Sequence, residues 1–448
     1  MSRERIIQFG TGRLLRGFVD CFVDSLNRRG LYDGKIVVVQ STGGHTWKDI
    51  NDQHGKYHLV LRGIENGQPV EECRAVESIS RALEINGQFD EFLQLAENPD
   101  MQVIVSNTTE VGIQYDAADR ATDAPPSSFP AKLCRLLYRR YECGLPGFLI
   151  FPCELIDSNA QVLKGIVCRY AEEWGYGQDF LNWLEQENKF CNTLVDRICT
   201  GFPKEEEARW QEKIGEKDKL LNVAEPFHLW AIEGDYEALL PFCTAGCNVV
   251  WTTDITPYKK RKVRILNGGH TSMVLGASLL GLENVLECMR HEQVHALFRH
   301  CIWEEIVPAL GGGTEEESFA RAVEERFSNP YLCHHLSDIA VNSVSKFKVR
   351  ILPTILEYRE QFGALPDGLC FSLAALLAYY RLKEPKDKPE YIRTLKEKAL
   401  REILSDQAVW GRDLSFLMEK VSPYYERMLA GRTEEAYQMI LKDKGGIL

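Results

Sequence analysis

An apolar run near the start of the chain ends in a glycine-rich turn: residues Arg5–Gly17 read RIIQFGTGRLLRG. Gly10 allows a tight turn after a strand, and Gly12 lets a phosphate group approach the backbone. A helix that begins here turns its N-terminal N–H groups and its positive dipole end towards such a group. Gly17 falls one position later than the third glycine of GxGxxG. The turn therefore favours a dinucleotide site, with a plain strand-to-helix turn as the alternative.

Apolar runs alternate with helical patterns through the first third of the chain. After the first strand they recur at Ile36–Gln40, Met101–Ser106 and Phe148–Pro152. Such runs are typical of strands buried on both faces of a parallel sheet, and their alternation with helices predicts a doubly wound sheet. The second half is dominated by long helical patterns. We expect an α/β protein with a dinucleotide-binding, Rossmann-type domain over residues 1–203 and a mostly α-helical substrate and catalytic domain over residues 204–448.

Composition excludes several classes of protein. The 448 residues include 53 Lys and Arg against 65 Asp and Glu, a net charge of −12, which disfavours a nucleic-acid-binding surface. No apolar run reaches the roughly 18–20 residues of a membrane helix, and the first residues lack the apolar segment of a signal peptide. The 14 cysteines contain no CxxC pair, which predicts reduced, buried thiols and no metal site. We expect a cytoplasmic protein with neither a membrane nor a nucleic acid as partner.

The residues expected to contact a cofactor lie where parallel strands end, because open α/β sheets bind ligands outside the carboxyl ends of their strands. They are Gly10, Thr11, Gly12, Arg13, Gln40, Asn107, Thr108 and Thr109. Gln40 stands where NAD-binding folds often carry an acidic residue for the ribose hydroxyls, and no arginine follows it to bind a 2′-phosphate. NAD and NADP both remain open at this position.

One basic helix carries the most informative polar residues: Thr256–His270 reads TPYKKRKVRILNGGH. At roughly 100° per residue, Lys262, Asn267 and His270 fall within an arc of about 140° that also holds apolar residues, so this arc faces inward. Burial and neighbouring positive charges would lower the pKa of Lys262 towards the range of a general acid–base. Asn267 can donate to a developing alkoxide, and His270 can orient a substrate oxygen. The alternative is a solvated helix start with a core histidine.

The pattern Lys262-x4-Asn267-x2-His270 resembles the catalytic signature of the mannitol dehydrogenase family of polyol-specific long-chain dehydrogenases. Three other blocks agree with that family: Asn192–Ile198 (NTLVDRI), Glu225–Phe227 and Ser345–Phe347. Within the family, the branch that acts on keto-hexuronates is most similar. Its resemblance rests on Ile6–Gly12 (IIQFGTG), Ser106–Glu110 (SNTTE), Pro152–Asp157 (PCELID) and Arg261–Gly268 (RKVRILNG).

The resemblance implies a role for each matched residue. Lys262 would be the general acid–base, and Asn267 and Asn192 would form the oxyanion hole. His270 would bind a substrate oxygen, and Lys346 would hold a distal group of the substrate. The resemblance also implies NAD as the cofactor and a reaction that needs no zinc.

Two further residues, Asn159 and His228, could reach the substrate, although a turn asparagine and a core histidine explain them equally well. The chain also departs from mannitol-oxidising members. Asp338 stands where they carry an arginine eight residues before Lys346, and Glu154-Leu155 replaces an Asp-Asn pair. Mannitol itself is therefore disfavoured as the substrate.

The activity that the resemblance implies is NADH-dependent reduction of a keto-hexuronate, D-tagaturonate, to D-altronate. Alternatives within the family are fructuronate reduction and the dehydrogenation of mannitol or a sugar phosphate. The alternative of another class is a nucleotide-binding sensor without turnover, which the intact Lys262, Asn267 and His270 set disfavours. A uronate carries a carboxylate, and Lys346, Lys348 and Arg350 on one predicted helix either attract it or are solvated.

Overall fold

A computed structural model of the chain describes residues 3–108 and 112–442. The chain folds into two compact units. The first comprises Met1–Arg62 and Pro69–Thr256, and the second comprises Gly63–Gln68 and Pro257–Leu448. The main division thus falls after Thr256, later than the boundary at 203/204 expected from the sequence.

All strands of the described chain lie before residue 257, where the longer segment of the second unit begins. Their bounds are β1 (Arg3–Phe9), β2 (Gly34–Gln40), β3 (Tyr57–Glu65), β4 (Gln68–Val76), β5 (Ile79–Glu84), β6 (Val103–Ser106), β7 (Leu149–Pro152), β8 (Lys189–Phe190), β9 (Thr193–Asp196), β10 (Cys199–Gly201), β11 (Asn222–Ala224), β12 (Leu229–Glu233) and β13 (Val249–Thr252).

The helices before residue 256 are α1 (Arg13–Arg16), α2 (Val19–Arg28), α3 (Thr46–Asp52), α4 (Phe89–Gln94), α5 (Phe129–Glu142), α6 (Asn159–Glu173), α7 (Gln178–Glu187) and α8 (Glu207–Ile214). Those that follow are α9 (Thr256–Arg261), α10 (Gly268–Leu279), α11 (Val285–Arg290), α12 (Glu292–His300), α13 (Val307–Ala309), α14 (Thr314–Phe327), α15 (Leu336–Ile339), α16 (Ser343–Arg350), α17 (Leu352–Phe362), α18 (Asp367–Leu382), α19 (Pro389–Glu397), α20 (Leu400–Ser405), α21 (Gln407–Trp410), α22 (Met418–Leu429) and α23 (Thr433–Lys442). Two π-helical segments, Lys262–Asn267 and Cys301–Ile306, join helices of the second unit.

The first unit contains a six-stranded sheet with the order β5-β2-β1-β6-β7-β8, whose described pairs are parallel. Successive residues of its strands enter opposite cores: Ile7 and Val37 pack with one apolar cluster, and Ile6 and Val38 with the other. Burial on both faces explains the continuous apolar runs. The strand order reverses beside β1, where such sheets bind dinucleotides. The expected doubly wound Rossmann-type sheet is therefore confirmed.

Two smaller sheets explain why the first unit extends beyond residue 203. Strand β11 pairs with β3 and β10, and strand β12 pairs with β9 and β13. The segment 199–252 thus hydrogen-bonds with strands that come earlier in the chain. These short strands carry little periodic signal in the sequence.

The second unit is helical after Thr256, as expected. Two of the long helical patterns of the sequence, over residues 285–305 and 343–361, are divided in the structure: the first forms α11, α12 and part of a π-helical segment, and the second forms α16 and α17. Helix α18 supplies much of the core, and ten of its sixteen residues are apolar and buried. Among residues 3–108 and 112–442, no helix is long and apolar enough to cross a membrane.

Candidate active site

The glycine turn of the first unit has the geometry of a phosphate cradle. Gly10 has a φ of +117°, and a Cβ there would lie 2.8 Å from the carbonyl oxygen of Asn107. A Cβ on Gly12 would meet no described atom within 4 Å, so the backbone is open to a ligand at this point. A Cβ on Gly17 would lie 2.6 Å from Cys199 Sγ. The displaced third glycine therefore serves the close packing of helix and strand, which is the usual role of the third glycine.

Two arginines of the turn donate hydrogen bonds to backbone carbonyl oxygens of the first unit. The carbonyl oxygen of Thr11 accepts a hydrogen bond from Arg16 Nε at 3.2 Å. The exposed guanidinium of Arg13 donates to the carbonyl oxygen of Thr200 at 3.0 Å. Arg13 is therefore a cation fixed at the edge of the turn.

A buried glutamate organises the chain after β6. Glu154 accepts hydrogen bonds from the backbone N–H and the hydroxyl of Thr108, both at 2.9 Å, and from the hydroxyl of Ser106. Asn107 donates to the carbonyl oxygen of Cys153 at 2.8 Å. Burial raises the pKa of Glu154, although these donors oppose the shift. The predicted contacts Asn107 and Thr108 thus lie at the switch point of the sheet, whereas Thr109 lies outside the described residues.

Gln40 forms hydrogen bonds with the backbone of the loop that follows β2. Its side chain is buried, its amide donates to the carbonyl oxygens of Thr42 and Gly44 at 3.0 Å, and its oxygen accepts from the N–H of Trp47. These bonds use the polar atoms of a side chain that is expected from the sequence to contact the cofactor. Gln40 thus shapes the loop that follows β2.

Asn192 lies at the start of β9 and keeps its donor group in the interior of the first unit. Its amide nitrogen donates to Glu233 Oε2 at 2.7 Å, and its oxygen accepts from the N–H of Ala160 at 3.1 Å. Glu233 ends β12 and was not anticipated from the sequence. Its place at the end of a buried strand is the signal that could have identified it.

Asn159 and His228 form hydrogen bonds within the first unit, which favours the turn-asparagine and core-histidine alternatives over substrate contact. The amide of Asn159 donates to three backbone carbonyl oxygens, those of Pro152, Glu154 and Thr193. His228 Nδ1 lies 3.0 Å from the carbonyl oxygen of Pro226, and its Nε2 accepts from the N–H of Asn248. Burial lowers the pKa of His228 to about 4. In both side chains the polar atoms form hydrogen bonds with backbone groups.

The signature residues of the second unit lie on a continuous helix that is π-helical from Lys262 to Asn267. A π-helix pairs residue i with residue i+5, so residues five positions apart share a face, as residues four apart do in an α-helix. Lys262 and Asn267 are separated by five positions, and His270 follows Asn267 by three. The π-helical turn therefore brings the three onto one face more closely than the α-helical estimate of about 140° suggests.

Most of the basic run before these residues is neutralised by neighbouring helices. Arg261 forms ion pairs with Glu315 and Glu316 of α14. Lys260 and Arg264 lie 3.4 and 3.2 Å from Glu357 of α17. The run is therefore a paired helix surface rather than a polyanion-binding patch.

His270 is a buried, uncharged imidazole. Its ring stacks on Phe327 at a centroid distance of 3.9 Å and meets the edge of His334 at 5.1 Å. Burial lowers its pKa well below the usual range, helped by the charges of His334, Arg350 and other cations. Among the described residues, no hydrogen-bond partner reaches Nδ1. A neutral imidazole with an unused nitrogen is suited to orienting a substrate oxygen.

Two cations of helix α16 lie near His270. The ammonium of Lys346 donates to the carbonyl oxygen of Ile339 at 2.8 Å, and Arg350 donates to the hydroxyl of Thr271 at 3.3 Å. Burial lowers the pKa of both groups. Lys348, on the same helix, has a different neighbour: its ammonium lies 5.9 Å from the ring centroid of Tyr391.

All fourteen cysteines are free thiols. Cys333 lies 3.6 Å from His335 Nε2, but no cluster of three or more His, Cys, Asp or Glu side chains in the described ranges is arranged to hold a metal ion.

Comparison with known proteins agrees with this architecture. The family model described as the mannitol dehydrogenase Rossmann domain matches residues 4–241, and the mannitol dehydrogenase C-terminal domain matches residues 254–429. Solved structures with the same fold include D-sorbitol dehydrogenase in substrate-free form (TM-score 0.86, 22% identity, 97% of this chain and 95% of that chain). Another is the Pseudomonas fluorescens mannitol 2-dehydrogenase ternary complex with NAD and D-mannitol (TM-score 0.73, 22% identity, 98% and 95%).

Curated relatives are much closer in sequence. Altronate oxidoreductase of Klebsiella pneumoniae (strain 342) is 42% identical over 97% of this chain and 96% of the relative. Altronate oxidoreductase of Cronobacter sakazakii (strain ATCC BAA-894) is 46% identical over 84% of this chain and 80% of the relative. The chain therefore belongs to the mannitol dehydrogenase family and is an oxidoreductase that acts on the CH–OH groups of polyols or sugar acids.

Proposed function

We propose that the protein reduces D-tagaturonate to D-altronate with NADH, and that it also catalyses the reverse oxidation. The observation that carries this proposal is the pair of partly buried cations on α16, Lys346 and Arg350, of which Arg350 donates to the hydroxyl of Thr271, the residue that follows His270. A site for mannitol or fructose has no anion to bind, whereas a uronate brings a carboxylate. The altronate oxidoreductase names of the relatives at 42–46% identity support the same substrate.

The first unit fits a dinucleotide. The open space at Gly12 admits a pyrophosphate, Arg13 supplies a nearby positive charge, and Asn107 and Thr108 present polar groups at the switch point. Gly10 and Thr11 shape the turn. When bound, the reduced nicotinamide supplies the hydride.

The chain's own residues supply the proton and the stabilisation of charge. Lys262 in its protonated form donates a proton to the carbonyl oxygen of the substrate. Asn267 donates an amide N–H to the oxygen as negative charge develops there, with Asn192 as the second donor. Glu233 accepts from Asn192 and so fixes the orientation of that amide. His270 contacts a substrate oxygen through its uncharged ring.

The reaction as proposed needs no zinc, because the Lys262 ammonium supplies the proton and the two asparagines bind the oxyanion. We also propose the cytoplasm as the compartment, since fourteen free thiols suit a reducing environment.

A panel of substrates tests the proposal. D-tagaturonate, D-fructuronate and D-fructose are each offered with NADH and with NADPH, and mannitol is offered with NAD. We expect NADH oxidation to be fastest with D-tagaturonate and to yield one D-altronate per NADH consumed. Faster turnover of D-fructuronate or of mannitol would contradict the assigned substrate.

A further inference from the structure

Arg350 is a partly buried cation that lacks a counter-ion. Its guanidinium donates to the hydroxyl of Thr271, and no carboxylate in the described part of the chain forms an ion pair with it. Burial lowers its pKa, and no acidic group of the described chain is close enough to offset that shift. A buried charge is costly unless it is paired, so an unpaired arginine is a candidate for binding an anionic ligand.

Two arginines of the adjoining helix differ from Arg350 in having carboxylate partners. On the adjoining helix, Arg261 is paired with two glutamates of α14, and Arg264 is paired with Glu357 of α17. Lys346, one turn before Arg350, binds the carbonyl oxygen of Ile339, and the charge of Asp387 partly offsets the burial of its ammonium. No acidic group of the described chain offsets the burial of the Arg350 guanidinium in this way.

Hydrogen bonds connect Arg350 to the signature helix. The Thr271 hydroxyl that accepts from Arg350 lies 2.9 Å from the carbonyl oxygen of Asn267, to which it donates. The guanidinium is thus one hydroxyl away from the backbone of the proposed oxyanion donor. A Cβ on Gly268 would lie only 3.5 Å from the carbonyl oxygen of Arg350, so the two helices approach closely here.

His270 gives a second, independent indication of a ligand at this place. The side chain is buried, with 8% of its surface exposed, and its Nδ1 has no partner among the described residues. The charge of Arg350 acts on this ring. An unused nitrogen beside an uncompensated cation is typical of a site that is completed by an oxygen-rich anion.

We propose that Arg350 binds the carboxylate of the substrate and is the residue that makes the site prefer a ketouronate over the matching neutral ketose. A planar guanidinium can form two parallel hydrogen bonds with a carboxylate, which a lysine cannot. This inference rests on the proposed function, because it concerns the same substrate site.

The test compares D-tagaturonate with D-tagatose, in which CH2OH replaces the carboxylate. In Arg350→Met we expect kcat/KM for D-tagaturonate to fall at least tenfold, while that for D-tagatose changes no more than about threefold. Arg350→Lys keeps the charge without the fork, so it should show an intermediate loss. Lys348→Met is the matched control on the same helix, where we expect the ratio of the two substrates to stay at the wild-type value.

The outcomes separate this inference from the proposed function. Equal losses on both substrates in Arg350→Met, or failure of both Arg350 variants to fold, would overturn the role of Arg350 and leave the function standing. Activity of the wild type on D-fructuronate in place of D-tagaturonate would overturn the named substrate. The role of Arg350 would then be judged by the same ratio for D-fructuronate and D-fructose. A wild-type preference for neutral ketoses would overturn both proposals.

Discussion

Lys262 carries the proton transfer of the proposed reaction. Lys262→Ala should lower kcat by about 10²-fold or more, because a positioned proton donor typically contributes 10²–10⁴-fold. The dissociation constant for NADH should stay within about twofold of wild type, since the dinucleotide is held by the first unit. Steady-state kinetics and fluorescence titration with NADH measure the two effects.

The matched control for this variant is Lys260→Ala. Lys260 is a half-exposed lysine two residues away that lies 3.4 Å from Glu357. It should retain near wild-type turnover. If Lys262→Ala is as active as Lys260→Ala, Lys262 is not the general acid.

Asp20 in helix α2 is a buried carboxyl group whose protonation should affect stability. Neither oxygen has a hydrogen-bond partner among the described residues, and burial raises its pKa to about 7 although Gln8, Arg16 and Tyr57 oppose the shift. The folded protein therefore retains a proton that the unfolded chain loses near pH 4. The stability tied to this proton is fully present below about pH 4 and is lost as the pH rises through about 7.

Asp20→Asn removes this dependence because an amide does not ionise. We expect the free energy of unfolding of the variant, relative to that of the wild type, to increase by on the order of 1–3 kcal/mol as the pH rises from 5 to 8. Urea unfolding at several pH values measures the difference. Parallel pH profiles for the two proteins would show that Asp20 does not titrate in this range.

Candidate site residues could be named from the sequence where a motif spacing exists, as at Gly10, Gly12 and the Lys262 signature, and their chemical roles stay predictions. The hydrogen bonds that Gln40, Asn159 and His228 form could not be predicted. Their hydrogen-bond partners are mostly backbone atoms, and backbone atoms leave no trace in the residue types. Glu233 was missed for a related reason, because its partner Asn192 is distant in sequence.

The π-helical segment is the element that most changes the interpretation of the site. An α-helical period spreads Lys262 and Asn267 apart, whereas i→i+5 pairing places them on one face. No residue pattern marks a π-helix, so the sequence predicted the angular spacing of these residues from an α-helical period that the structure does not have here. The hairpin of β3 and β4 had a usable signal: its turn residues Asn66 and Gly67 both have positive φ, as a two-residue Asn-Gly turn requires.

Two glycine substitutions at the first strand–helix junction should have different effects, one on cofactor binding and the other on stability. Gly12→Ala places a methyl group in open space, so stability should change by less than about 0.5 kcal/mol, but the group obstructs the approach of a pyrophosphate. We expect the dissociation constant for NADH to rise at least tenfold. Calorimetric titration with NADH and thermal unfolding check both statements.

Gly17→Ala is the counterpart at the same junction. Its methyl group would lie 2.6 Å from Cys199 Sγ and 3.1 Å from Asn222 Nδ2, so the helix must shift away from the small sheet. We expect a loss of about 1–3 kcal/mol in free energy of unfolding. Unchanged stability in Gly17→Ala, or an unfolded Gly12→Ala, would contradict the separate roles of the two glycines.

The molecule as a whole carries a net charge of −12, yet its proposed substrate and cofactor are both anions. Local cations must therefore overcome the overall field, which is the role that we propose for Arg13 in the first unit and for Arg350 in the second. The sequence predicted the order of a sheet-containing half and a helical half. The structure divides the chain after Thr256 rather than at the expected 203/204. Short strands such as β11 and β12 gain their stability from pairing with distant strands, which local patterns do not report.

Removal of metal ions tests the zinc-independent mechanism for the whole enzyme. After exhaustive treatment with EDTA and dialysis, we expect activity within about 10% of the untreated enzyme, because Lys262 supplies the proton without a Lewis acid. Loss of activity that zinc alone restores would show that a metal takes part.

The central claim is that this site reduces a charged ketose. Its most direct test is the ratio of kcat/KM for D-tagaturonate to that for D-tagatose, measured with NADH on the wild-type enzyme. One paired carboxylate in a partly buried site is worth roughly 1.5–3 kcal/mol, which corresponds to about a 10- to 150-fold preference. We predict a ratio of at least ten. A ratio near one, or a preference for D-tagatose, would contradict the account.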